Sequence, residues 1–245
     1  MKKRFLPLVC FIGTLLFTIL ASVVPLNGVT QADISNKFFT IITPAGFTFS
    51  IWLIIYLSWF IISLMVAFKD FTINKEQKLL FSTSMVLTAF WLVPWHFSHV
   101  GMSFSVMILL LFVLSLLFIE TRWDAIDKKF QATVELFFWW ILVATILNWL
   151  VLLVSLGSAW KNLAEVSVGI WFLFIGFIIN LFLLNKMEAF IPTFVFIWWL
   201  YGISMGQQNF YIQIASLLFA IVLLLNYIFL RKKAYKKAIK KIFKK

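Results

Sequence analysis

The stretch "TPAGFTFSIWLIIY", Thr43 to Tyr56, decides how this chain is read. Its second half is apolar enough to enter a membrane. Its first half instead holds Thr43, Pro44, Gly46, Thr48 and Ser50. A Thr hydroxyl at position 43 can cap a helix. Proline suits the first helical position, where its missing N–H costs nothing, and it biases Thr43 away from helical geometry. The expectation is a helix that starts sharply at Pro44. Phe49, Trp52, Tyr56, Trp59 and Ser63 then follow at steps of three and four, so they share one face. Such a stripe serves either helix packing or one wall of a binding site.

The rest of the chain sets the class. It is 63% hydrophobic and 12% charged, with a mean hydropathy of +1.03. Soluble domains are about 45–50% apolar and about 25% charged. The expected fold class is therefore an all-α polytopic membrane protein. A crossing helix needs about 20 apolar residues. Eight segments come near that length: 5–24, 44–67, 80–97, 102–119, 133–155, 166–184, 189–206 and 210–230. Ser98–Gly101 separates the third and fourth, and the break between the last two is equally short, so seven spans is the alternative count. The runs are continuous and do not alternate, which argues against a barrel.

The net charge of +12 is distributed as membrane topology would have it. With a cytoplasmic N-terminus, Lys37 and Lys161 alone among the 21 basic residues fall outside. This predicts a cell-membrane protein with both termini cytoplasmic. The first segment has a basic start like a signal peptide, but its apolar run exceeds the usual 7–15 residues, so a retained helix is expected. The tail 231–245 carries nine basic residues, with Tyr235, Ile239 and Ile242 on one stripe. It suits anionic lipid of the inner leaflet. No soluble module is present to read nucleic acid. Cys10 is the single cysteine, so neither an internal disulfide nor a Cys-rich zinc site can form.

Three segments together resemble a known family. "TPAGFTFSIWLIIY" is similar to the opening of the second helix of the translocator (TspO, tryptophan-rich sensory) family, P-P-x-W-x-F/L-G-P-V-W-x-x-L-Y. Pro44, Trp52 and Tyr56 fall on motif positions; Thr43 replaces the first Pro and Gly46 the first Trp. "FWLVPWHF", Phe90–Phe97, resembles the third helix, keeping Trp91. "WWILVATILNWL", Trp139–Leu150, resembles the fifth, with Trp140, Ala144, Leu147 and Asn148 matching and Leu136-Phe137 standing for Pro-Tyr. The likeness spans residues 1–156. It implies a five-helix core there, with 157–230 as three further helices and 231–245 as a basic tail. It also implies a pocket for flat apolar ligands such as a porphyrin or haem, covered by the loop Pro25–Ile42.

Helical rise supplies an independent expectation of depth. Trp52 would lie about 12 Å below Pro44, Trp91 about 9 Å below Phe97, and Asn148 about 10 Å below Ser155, with Trp140 deeper at about 22 Å. Trp52, Tyr56, Trp91, Trp140, Ala144 and Asn148 are the candidate ligand-binding residues. The aromatics would stack on the ligand and Asn148 would supply one polar contact. Asn in lipid is costly unless bonded, so Asn148 should face protein or a cavity.

Other polar residues read as structural. His96 and His99 stand alone as histidines, with no carboxylate cluster for a metal. Glu135 should reach the interface or pair with Lys128 or Lys129. Asn180 and Asn226 suit contacts between helices. Leu225-x-Tyr227-x₃-Arg231 fits a loose sterol-contact pattern. No paired carboxylates, Cys–His pair or phosphate loop marks an enzyme. The functional expectation is a membrane protein that binds a flat apolar ligand in a sensory, regulatory or transport role. The competing classes are a secondary transporter of a small hydrophobic solute and a non-binding assembly protein whose contact residues serve a homodimer.

Overall fold

The computed structural model describes residues 4–24, 26–68, 71–123, 127–157, 166–187 and 190–242, with the side chains of 123, 187 and 234–242 excepted. The tail stripe Tyr235, Ile239, Ile242 lies outside the described side chains. The described residues are helical, without a strand. They form α1 (Leu6–Val23), α2 (Gln31–Lys37), α3 (Ile51–Phe68), α4 (Lys75–His96), α5 (Val100–Trp123), α6 (Lys128–Ser155), α7 (Val166–Met187), α8 (Phe190–Gly206) and α9 (Phe210–Ile242).

Seven of the described helical segments are long and apolar enough to cross a membrane. The short helix α8 has 17 residues, or about 26 Å against a hydrocarbon core of about 30 Å. The chain is a multi-pass membrane protein. Both tight hairpins are present. Ser98 takes a left-handed conformation (φ 56°) between α4 and α5. Asn209 caps α9, its side-chain oxygen accepting from the Tyr211 and Ile212 N–H groups at 3.0 and 3.2 Å.

Several helices outrun the apolar segments, because hydropathy marks the lipid-crossing part and caps mark the ends. Asn74 and Gln77 form a reciprocal capping box that starts α4 at Lys75, and Asp127 caps α6 at Lys128. The second span departs the other way. Residues 43–45 have no regular structure, Gly46–Ser50 is a 3₁₀ turn, and the α-helix begins only at Ile51. Pro44 is therefore not the first residue of an α-helix. The reason is competition for the backbone. The Ala45 N–H donates to the Gly202 carbonyl at 2.8 Å, and the Thr43 carbonyl accepts from the Gln207 side chain at 2.7 Å. Unwound backbone at membrane depth persists only where protein satisfies it. Ile42, Thr43 and Thr48 are accordingly buried.

The chain divides into two compact units: residues 1–40 with 49–162, and residues 41–48 with 163–245. In the first, α1 packs on α3 and α4, α5 on α4 and α6, and α6 on α3, which closes a five-helix ring. Thr14 of α1 donates to the Met85 carbonyl of α4 at 2.9 Å. The segment α2 rests on α4, where Ile34 is buried with Trp95, Val100 and Val151. In the second unit α7, α8 and α9 pack pairwise, and residues 41–48 lie along α8.

Candidate ligand-binding site

Within the first unit, α3 and α6 approach each other sparsely along their backbones, and large rings fill the seam. Helix α3 presents Trp52, Tyr56 and Trp59, with Phe49 just before it. Helix α6 answers with Phe137 and Trp140. Trp52 stacks on Tyr56 (5.5 Å between centroids, 27°) and stands perpendicular to Trp140 (6.4 Å, 89°). Trp59 meets Phe137 edge-on at 4.4 Å, and Phe49 meets Trp140 at 6.0 Å. The column continues through Phe81 of α4 to Phe130 of α6. Edge-to-face and offset pairs are the geometries that ring quadrupoles favour.

The column is buried but not fully satisfied. Trp59 is 0% and Trp140 2% exposed. Neither indole N–H has an acceptor, and the Ser63 hydroxyl one turn below Trp59 is likewise buried without a partner. A buried donor left unpaired costs about 1–3 kcal/mol. Trp52 and Tyr56 are partly exposed and form the accessible side of the column. The Tyr56 hydroxyl lies 3.4 Å from that of Thr18 on α1.

The six candidate residues separate. Trp52, Tyr56 and Trp140 come together, with Ala144 one turn beyond Trp140 and partly exposed. Trp91 does not join them by any ring contact among the described residues. It stacks on Trp95 at 5.1 Å beneath α2, and its own indole N–H is buried without a partner. Asn148 is buried and accepts from the Ser103 hydroxyl of α5 at 3.1 Å, so its oxygen ties two helices together. Of the four aromatic candidates, Trp52 therefore meets Trp140 and Tyr56, while Trp91 meets Trp95.

Sequence reasoning had placed Trp59 on the α3 face without assigning it to the site, and had missed Phe137. The signal for Phe137 was its three-residue spacing from Trp140. The loop before the second span is not a simple connector. Thr30 and Asp33 form a capping box that starts α2. The Thr30 backbone N–H, then its hydroxyl, hold the Asp33 carboxyl below the usual carboxylate range. The Trp95 indole donates to the Gln31 carbonyl at 3.3 Å, and Asn27 donates to the His96 carbonyl at 3.4 Å.

The remaining polar residues are only partly partnered: His96 Nε2, Asn180 Oδ1 and Asn226 Nδ2 are buried without a hydrogen bond. His96 is fully buried, with Nδ1 2.7 Å from the Leu92 carbonyl oxygen, while His99 is exposed beside Phe97. Glu135 pairs with Arg122 rather than with Lys128 or Lys129, because the antiparallel hairpin brings the end of α5 beside the start of α6. Asn180 donates to the Gly176 carbonyl one turn back in its own helix, not across helices. No group of three metal-ligating side chains occurs among the described residues.

Compared with known proteins, residues 4–229 match the family described as TSPO-like protein. The match continues through α7 and α8 and most of α9, beyond the 156 residues over which the motifs could be traced. No curated protein and no solved structure matches.

Proposed function

Because this chain belongs to the TSPO-like protein family, we propose that its aromatic column binds a flat, largely apolar ligand of the porphyrin class. The observation that carries this reading is the wall of rings on α3 and α6, in which Trp52 and Tyr56 remain partly exposed against the buried Trp140. A ligand face stacked on Trp52 and Tyr56, with an acceptor turned to Trp140, would relieve one unpaired donor. Ala144 leaves space one turn further along α6. Trp91 and Asn148 then act from outside the stack: Trp91 supports the packing beneath α2, and Asn148 holds α5 to α6. The role is sensory or regulatory. The bias of basic residues to one side supports cytoplasmic termini in a cell-membrane protein.

Titration with protoporphyrin, read by quenching of Trp fluorescence, tests the assignment. The double variant Trp52→Phe/Trp140→Phe is expected to bind at least about tenfold more weakly, the effect of removing one stacking face and one donor. Equal affinity in the two proteins would sink it.

The alternative reading is a secondary transporter of a small hydrophobic solute. Ligand uptake into proteoliposomes above that of empty vesicles would support transport; binding without uptake would reject it.

A further inference from the structure

The second unit holds an apolar groove of about 230 Å³ between α8 and α9. Phe194, Trp198 and Tyr201 line one wall, and Leu217, Ile221 and Leu224 line the other. The first wall is held in place. The Trp198 indole donates to the Thr48 carbonyl at 2.8 Å, and Tyr201 packs on Phe47. Drug-sized and flat multi-ring ligands take pockets of about 300–1,000 Å³. This groove is narrower and suits a single chain.

One end of the groove leads to positive charge. On α9, Leu217, Ile221, Leu224, Tyr227 and Arg231 follow at steps of three and four, on one stripe. On α8, Phe190 continues the stripe of Phe194. The two extensions meet: Phe190 lies edge-on to Tyr227 at 5.3 Å, and the Arg231 guanidinium sits over the Phe190 ring at 5.2 Å. Arg231, Lys232 and Lys233 are all exposed there. Along the helix, Leu224 is about 10 Å and Ile221 about 15 Å from Arg231. Half a hydrocarbon core is also about 15 Å.

We infer that this groove seats one anionic phospholipid, with an acyl chain between α8 and α9 and its phosphate at Arg231. The aromatic wall of α8 and the aliphatic wall of α9 grip the chain, and the basic end selects the headgroup. The Leu225-x-Tyr227-x₃-Arg231 pattern is not the basis, because Leu224 lines the groove and Leu225 does not.

The full-length protein in mild detergent, mixed with equal amounts of dioleoyl phosphatidylglycerol and dioleoyl phosphatidylcholine, is weighed by native mass spectrometry. One phosphatidylglycerol should be retained preferentially. Arg231→Gln should lower that preference about fivefold, the contribution of one basic residue near an anionic headgroup. Ile221→Trp, which fills the groove from its exposed rim, should lower retention of either lipid. Leu217→Phe fills it more mildly if the first variant does not fold. Lys240→Gln/Lys241→Gln, in the tail, should change nothing. Equal retention of the two lipids by the wild type would overturn the inference. So would an equal loss in the tail variant, unchanged retention in a filled groove, or displacement of phosphatidylglycerol by an equimolar sterol.

Discussion

Two packing surfaces in this chain are closed by opposite means. In the first unit, α3 and α6 stand apart and six-membered and indole rings span the gap. In the second, residues 43–48 lie directly on α8, because Gly202 and Gly206 remove the side chains that would intervene. A Cβ on Gly202 would meet the Thr48 hydroxyl at 1.9 Å, and one on Gly206 the Ala45 backbone nitrogen at 2.3 Å. Lipid tails are as apolar as Leu, so burial alone gives helices no reason to associate there; dispersion and hydrogen bonds must do it. Rings maximise dispersion across a wide gap. Glycines shorten the gap until backbone groups bond. The ring-filled surface leaves indole donors unpaired, whereas the glycine surface pairs its backbone and leaves the Thr48 hydroxyl unpaired.

That contrast can be broken most forcefully at its centre. Trp59→Ala should cost about 3–5 kcal/mol, the range for emptying a buried large aromatic site, seen as a large drop in thermal unfolding temperature in detergent. If the drop were small, the column would be collapsible and not a rigid frame for a ligand. Next in size, Gly206→Ala should cost about 1–3 kcal/mol, since backbone must move to admit the methyl group. Gly13→Ala is its control, with nothing within 4 Å of the added carbon. Equal stability of the two variants would mean that the glycine surface is not tight.

A single type of substitution then separates the two surfaces. Trp198→Phe removes the donor to the Thr48 carbonyl and should cost about 1–2 kcal/mol. Trp59→Phe removes a donor that had no acceptor, so its penalty should be smaller, apart from lost volume. Reversed order in chemical denaturation would reject the distinction. The smallest effect concerns pH. The Asp33 carboxyl is held low by Thr30, so its cap is intact above the ordinary carboxylate value, about 3.9. The cap is lost only as pH falls through the lower folded value. The protection factors of the α2 amides, exchange rates corrected for the intrinsic pH dependence, should therefore be flat from neutrality to about pH 5 and fall only in stronger acid.

Much of this was legible in advance because lipid imposes one-dimensional rules. A crossing helix must be long and apolar, so eight segments and their order could be read from hydropathy. The face shared by Trp52, Tyr56 and Trp59 followed from helical spacing, and Trp140 on α6 from motif likeness. Thr43-Pro44 misled for a physical reason. Local capping chemistry favours a helix start there, yet Gly202 and Gln207, more than 150 residues away, take the same backbone groups. Asn148 was legible as a bonded polar residue, but its partner Ser103 was not, because spacing says nothing about which helix lies opposite.

By itself, then, the sequence determined that the chain is a multi-pass helical membrane protein of translocator-like type, and which residues share each helix face. Those properties depend on burial in lipid and on a fixed rise and turn per residue. Tertiary structure alone decided that Trp52 pairs with Trp140 and not Trp91, that the second span begins unwound, and that α8 accepts it on two glycines. Each is a contest among distant groups for one backbone atom or one volume, and such contests are settled only when the helices meet.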